Sequence, residues 1–188
     1  MHDANLGPTL LILARNSIAI ELEGALQTEA ALPDLNHPGA TFVTLTQQGQ
    51  LRGCIGSLEA WRSLRDDVCA NAKAAAFRDP RFPPLEADEL VRTQVEVSLL
   101  SAAEPLSCTD EADAIRQMRP GIDGMIFEFH GRRGTFLPQV WESLPAPRDF
   151  FAHLKQKAGF APDFWSPDVR LYRYTVQKWK EATPRCPL

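Results

Sequence analysis

The sequence predicts an α+β fold, a mostly antiparallel or mixed sheet flanked by helices. Three observations carry this expectation. Some stretches repeat apolar residues at three- and four-residue intervals. Others alternate apolar or β-branched residues with polar ones. Several of the alternating stretches pair up across glycine-bearing turns instead of being separated one by one by helices, as a regular βαβ chain would require.

After Pro8, the series Leu11, Ala14, Ile18, Leu22 and Ala25 places an apolar stripe on one side of a helix, and Pro33 to Gly39 breaks the pattern. Phe42 to Thr46 is a short β-branched and aromatic run; Gln47-Gln48-Gly49-Gln50 turns it into the segment Leu51-Arg52-Gly53-Cys54-Ile55-Gly56, which gives a hairpin with that segment as its second strand or the turn leaving it. Trp61, Leu64, Val68, Ala72 and Ala75 make a second helical stripe, with Arg62 and Asp66 spaced as an i,i+4 pair, and Asp79-Pro80 ends it. From Val91 to Leu99 the chain alternates strictly, with Glu96 and Ser98 on the more polar face of a half-buried strand. Thr109-Asp110-Glu111 starts a short helix that Pro120-Gly121 stops. Met125 to His130 and Thr135 to Leu137 form a second hairpin around the turn Gly131 to Gly134. Pro147 opens a helix whose apolar face is Phe150, Phe151, Leu154 and Ala158 and which Gly159 caps, and Val169 to Val176 returns to a strand.

A chain of 188 residues can bury roughly two-thirds of its unfolded surface, so it folds without needing a metal or disulfide. With 44% apolar and 23% charged residues it belongs with globular proteins. There is no internal repeat and no low-complexity linker. Residues 1–188 therefore read as one domain, and any second lobe within it must be built by chain crossing and not by a tethered domain. The net charge of -4, with no run of five basic residues, disfavours a dedicated nucleic-acid binder. No apolar stretch approaches a membrane span, and Asp3 stands at the N-terminus without a basic region, so the expected address is cytoplasmic. Cysteines 54, 69, 108 and 186 lack metal-ligand spacing and are expected as free thiols; no metal site and no cofactor is called for.

Chemistry concentrates on the Arg52 to Gly56 segment. In an extended strand Arg52 and Cys54 project from one face, and a cation beside a thiol favours the nucleophilic thiolate. Gly53 and Gly56 admit positive φ or let a ligand or a second backbone approach closely. The same residues also fit a packing role: Cys54 as a small buried hydrophobe, the glycines as a bulge, and Arg52 paired with a carboxylate. Glu96 is the candidate general base or the partner of Arg52, against the alternative of a solvated charge. Arg78 and Arg81, flanking Asp79-Pro80, either bind an anion or lock the turn. Arg132-Arg133 offers the same choice. His130 and His153 lack metal-ligand patterns, Ser98 lacks a nucleophile elbow, and Trp141, Trp165 and Trp179 read as packing. Lys157 stands as a cation opposing the dipole at a helix end.

Four blocks in order resemble the AMMECR domain family: Arg52-Gly53-Cys54-Ile55-Gly56; Ala75-Ala76-Phe77-Arg78-Asp79-Pro80-Arg81-Phe82-Pro83-Pro84; Val95-Glu96-Val97-Ser98-Leu99-Leu100; and Gly121-Ile122-Asp123-Gly124 with Gly134 to Val140 and Lys157-Ala158-Gly159. The likeness covers nearly the whole chain. It implies a compact two-lobed α+β protein with the signature near the groove between lobes, of the type called AmmeMemoRadiSam system protein A, whose companions are a Memo-like protein and a radical-SAM protein. Where many relatives carry a cysteine before the Lys-Ala-Gly block, this chain has Lys155, which removes a thiol partner for Cys54 at that position.

Two functions follow. The first is a small-molecule enzyme or modification factor with Cys54 as nucleophile, Glu96 as base, and Arg52, Gly53, Gly56, Arg78, Arg81 and Lys157 contacting the ligand. The second is a non-catalytic ligand-binding or adaptor module. An RNA-associated role is a third, disfavoured by charge.

Overall fold

The computed structural model describes residues 5–28 and 35–182; Cys186 and Pro33 of the expected break lie outside them. Five α-helices run α1 (Leu6–Glu21), α2 (Leu64–Phe77), α3 (Ala87–Leu90), α4 (Glu111–Gln117) and α5 (Pro147–Lys157). Eight strands run β1 (Ala40–Gln47), β2 (Gln50–Gly56), β3 (Gln94–Leu100), β4 (Glu104–Pro105), β5 (Gly124–Phe129), β6 (Arg132–Phe136), β7 (Arg170–Tyr174) and β8 (Val176–Lys180). The strands form two four-stranded sheets, so the fold is α+β. The chain divides into two compact units, Met1–Leu100 with Gln177–Leu188, and Ser101–Val176.

In the first unit the strand order is β2-β1-β3-β8, and β1 is antiparallel to both its neighbours. Helices α1 and α2 pack on each other and against this sheet. Leu10, Leu13, Ala14 and Ile18 from α1, Leu64, Val68, Ala72 and Ala75 from α2, and Val43, Leu45, Val95 and Val97 from the strands form its core. The hairpin turns on Gln48 (φ 49°) and Gly49 (φ 79°), the left-handed pair that a two-residue turn requires to match strand twist.

Asp67 anchors α2 to the sheet. Its side chain is fully buried. Oδ2 accepts from Thr41 N (2.7 Å), Thr41 Oγ1 (2.7 Å) and Asn71 Nδ2 (2.9 Å), and Oδ1 accepts from Ser57 Oγ (2.7 Å) and Arg62 Nε (2.8 Å). A buried carboxylate is tolerable only when its lone pairs are filled in this way.

Element boundaries differ from expectation where a local hydrogen bond overrules periodicity. Trp61 is 71% exposed and precedes α2, because Ser63 caps the helix by accepting from Asp66 N. Arg62 consequently pairs with Asp67 instead of Asp66 and lies over the Trp61 ring. Ala25 is exposed beyond the end of α1. Val91 is 72% exposed outside β3, since the reciprocal Glu86 and Glu89 caps make a short helix ahead of the strand.

The second unit has strand order β4-β7-β5-β6. Its turn is His130-Gly131, so Arg132, Arg133 and Gly134 belong to β6 and not to the turn. The core joins Met125, Phe127 and Leu171 to Phe150, Phe151 and Leu154 of α5, with Trp141 stacked on Phe150 at 3.7 Å. Pro147 opens α5 and Gly159 follows its end at φ 85°. Lys155 is buried, bonded to Glu111 at 2.6 Å and lying over Phe151.

Candidate functional site

The signature occupies β2, an edge strand. Thr44 of β1 stands directly opposite Cys54 on one side and Glu96 of β3 on the other. Residues directly opposite one another share a sheet face, and Val43, Leu45, Val95 and Val97 fill the helix-covered face. Cys54, Thr44 and Glu96 therefore make one row on the opposite face, each half-buried. Cys54 Sγ and Thr44 Oγ1 are 3.2 Å apart, within hydrogen-bond reach. The Glu96 side chain makes no hydrogen bond or ion pair among the described residues.

Arg52 lies at a register shift. Leu45 pairs with Gly53 and Thr46 with Leu51, which leaves Arg52 as the extra residue of a bulge. Its side chain is only 12% exposed and its guanidinium is committed: Nε and Nη2 grip Glu89 at 3.0 and 2.9 Å, and Nη1 and Nη2 donate to the carbonyls of Pro83 and Pro84. The carboxylate meeting Arg52 is thus Glu89 of α3, not Glu96. Hydrogen bonds from Arg52, supported by the Glu86 amide and Gln47, hold the Glu89 carboxyl down to about 2. That is below its ordinary value of 4.5, so the group contributes stability that is complete above about pH 4.5 and is lost as pH falls toward 2. Glu89→Gln is expected to flatten the acid limb of the stability curve in that window, as read by urea unfolding at successive pH values; an unchanged limb would contradict the assignment.

The outer edge of β2 is closed by side chains. Asp79 Oδ2 accepts from Cys54 N at 2.9 Å, and Arg81 Nη2 donates to Cys54 O at 3.1 Å. Arg81 also binds Asp79 through Nε (2.9 Å) and Nη2 (2.6 Å), and these bonds hold the Asp79 carboxyl far below the usual carboxylate range. The pair takes the place that a neighbouring strand would occupy, which protects an edge from foreign pairing. Arg78 is exposed at the end of α2, where its charge bears on Glu21.

Protein already occupies the room left by the two glycines. A Cβ on Gly53 would collide with the Ala75 carbonyl oxygen of α2, and one on Gly56 with the Phe42 ring. Neither has positive φ. Lys157 belongs to the second unit, where it donates to Thr135 O at 2.8 Å and lies over Phe136. Arg132 donates to Gly159 O and covers Phe160. His153 bonds the carbonyl of Asp149. A cleft of about 420 Å³ in the first unit, walled by Pro8, Leu11, Ile12 and Val91 beside the Arg15–Glu181 pair, includes no signature residue. Among the described residues no group of three His, Cys, Asp or Glu could hold a metal, and no helix is long and apolar enough to cross a membrane.

Sequence reasoning missed Thr44 and Glu89. Thr44 lies in the expected strand Phe42 to Thr46, but only the register shows that it faces Cys54. Glu89 carries a visible capping-box spacing from Glu86, with no signal that it reaches Arg52 across 37 residues.

Two α+β units, one with a glycine-framed thiol strand at its edge braced by an Asp-Pro-Arg turn, define the class of protein this chain falls in. The family model AMMECR1 matches residues 11–179, and the chain belongs to that family. It is 40% identical over 184 residues to a protein of Methanothermobacter thermautotrophicus, across 93% of this chain and 94% of that one. It is 33% identical to protein MK0488 of Methanopyrus kandleri, across 97% and 91%. The crystal structure of uncharacterized protein PH0010 from Pyrococcus horikoshii matches with a TM-score of 0.79 at 32% identity, covering 96% of this chain and 94% of that one.

Proposed function

We propose that this chain acts on a small electrophilic molecule through the Cys54–Thr44–Glu96 row. The observation that carries this reading is Glu96, a half-buried carboxylate with no partner among the described residues, one strand from a thiol and hydroxyl in contact. Opposite residues on neighbouring strands have Cβ atoms about 5 Å apart, a span a glutamate side chain crosses. The Cys54 proton passes to Thr44 Oγ1 as the Thr44 hydroxyl proton passes to Glu96. The thiolate then bonds to an electrophilic carbon as that carbon's bond to its leaving group breaks, and the leaving group departs with the electron pair and takes up the proton from Glu96. Arg52 enters this proposal as the group that ties the strand to α3 and the proline turn.

The test is site-resolved alkylation of the native protein by iodoacetamide across pH. At pH 7, Cys54 is expected to react faster than Cys69 and Cys108, since burial and the nearby Asp113 and Asp110 push the Cys108 thiol up. Glu96→Gln should slow Cys54 about tenfold or more. A Cys54 rate that rises only above about pH 8.5, as a free thiol does, and ignores Glu96→Gln would sink the proposal.

A second reading is favoured by how completely protein contacts satisfy Arg52, Gly53 and Gly56: a non-catalytic ligand-binding or adaptor module. On it the chain holds the Memo-like and radical-SAM companions, and Cys54→Ala leaves their co-purification and genetic complementation intact.

A further inference from the structure

We infer that the molecule handled by Cys54 carries an anionic oxygen group, a carboxylate or a phosphate, and that Arg81 receives it. The inference rests on the proposed role of Cys54 and adds the substrate class and the residue that selects it.

Arg52, Arg62, Arg78 and Arg81 are among the arginines on the elements around the signature, and their engagements separate them. Arg52 is 12% exposed and its donors are turned into the protein. Arg62 serves Asp67, Asn71 and the Trp61 face. Arg78 is exposed and has no side-chain bond to the signature strand among the described residues. Arg81 alone of these combines a bond to Cys54 with a side chain that is 53% exposed.

Its donors are also unequally used. Nε and Nη2 are taken by Asp79 and by the Cys54 carbonyl, while Nη1 has no acceptor among the described residues. Asp79 is 2% exposed, so the pair is a dipole with its negative end buried and its cationic end half-exposed over the Phe82 ring. A guanidinium held at one edge by a carboxylate presents its remaining N–H groups in a fixed plane, which suits a planar or tetrahedral oxyanion. The hydrogen bonds to Asp79 and, after them, the charges of Asp79 and Cys54 strengthen the hold of Arg81 on its proton.

Glu96 adds direction. It is a carboxylate on the β3 side of Cys54, and Arg81 stands on the outer edge. A substrate's anionic end is repelled from the first and attracted to the second. Its electrophilic carbon is thereby placed over the thiol, with the charged group pointing away from the sheet.

Charge selectivity of alkylation tests this directly. Iodoacetate and iodoacetamide both form a carbon–sulfur bond with release of iodide and of the thiol proton, and they differ in one negative charge. The rate ratio, iodoacetate over iodoacetamide, is measured at Cys54 and divided by the same ratio for glutathione. Dividing two reagents on one protein cancels changes in thiol ionisation and access, which a purely structural role for Arg81 would alter. The wild-type ratio is expected to exceed that of the doubly substituted Asp79→Asn, Arg81→Gln protein by about three- to fivefold, with the Cys69 ratio unmoved. The double change removes both charges and keeps an acceptor for the Cys54 amide. Arg81→Gln alone, which leaves the Asp79 charge exposed, should lower the ratio further and serves if the double variant does not fold. Equal ratios in wild type and variants, with Cys54 still reactive, would overturn the role of Arg81 and leave that of Cys54 standing. A native Cys54 that takes neither reagent, yet takes both once unfolded, would remove the reading of Cys54 and this inference with it.

Discussion

Replacing Gly53 with alanine is expected to destabilise the first unit by about 3 kcal/mol, lowering the urea midpoint with little change in slope. The added methyl would stand within forbidden distance of the Ala75 carbonyl oxygen, an atom of helix backbone. A flexible side chain can swing aside at small cost. A helical carbonyl cannot, because α2 is held to the sheet by Val68, Ala72, Ala75 and the Asp67 network. The strand must then move away from α2, and the Cys54 contacts to Thr44, Asp79 and Arg81 move with it. If Gly53→Ala unfolds with the wild-type midpoint, the close strand–helix approach is not what the glycine serves.

Asp67→Ala is expected to cost about 3–5 kcal/mol, the range for removing one partner from a buried ion pair. Five donors lose their acceptor together: the Thr41 amide and hydroxyl, Asn71 Nδ2, Ser57 Oγ and Arg62 Nε. Thr41 is fully buried and Asn71 nearly so, and water replaces their bonds poorly. Asp67→Asn keeps an acceptor oxygen and loses the charge facing Arg62, so its loss should be smaller. Calorimetric or urea unfolding of the two variants gives the comparison. Equal and small losses would show that the network is not what docks α2.

The same network shows where reading along the chain falls short. The helical stripe from Leu64 to Ala75 was legible because apolar periodicity is a property of neighbouring residues. Asp67 lies within that stripe as an apparently misplaced charge, and its justification comes from Thr41 and Ser57, 26 and 10 residues earlier. Helical spacing pairs Arg62 with Asp66, but the helix has not begun at Arg62, which reaches Asp67 instead. Arg52 and Cys54 were expected to share a face, which holds for an unbroken strand; the bulge at Arg52 and the pull of Glu89 turned the guanidinium elsewhere.

By itself the sequence determined the α+β class, the two glycine-turn hairpins and the stop and start signals of α5, and it narrowed the signature to a strand or the turn leaving it. Each of these depends on dihedral preference and on apolar periods within a few residues. Only the tertiary structure decided which groups meet. The Cys54 amide finds Asp79 25 residues away, Arg52 finds Glu89 37 residues away, and Thr44 comes between Cys54 and Glu96 through the register of three strands. The physical reason is that periodicity assigns a side chain to a face but not to a partner. Partners follow from register, and one extra residue in one strand is enough to change them.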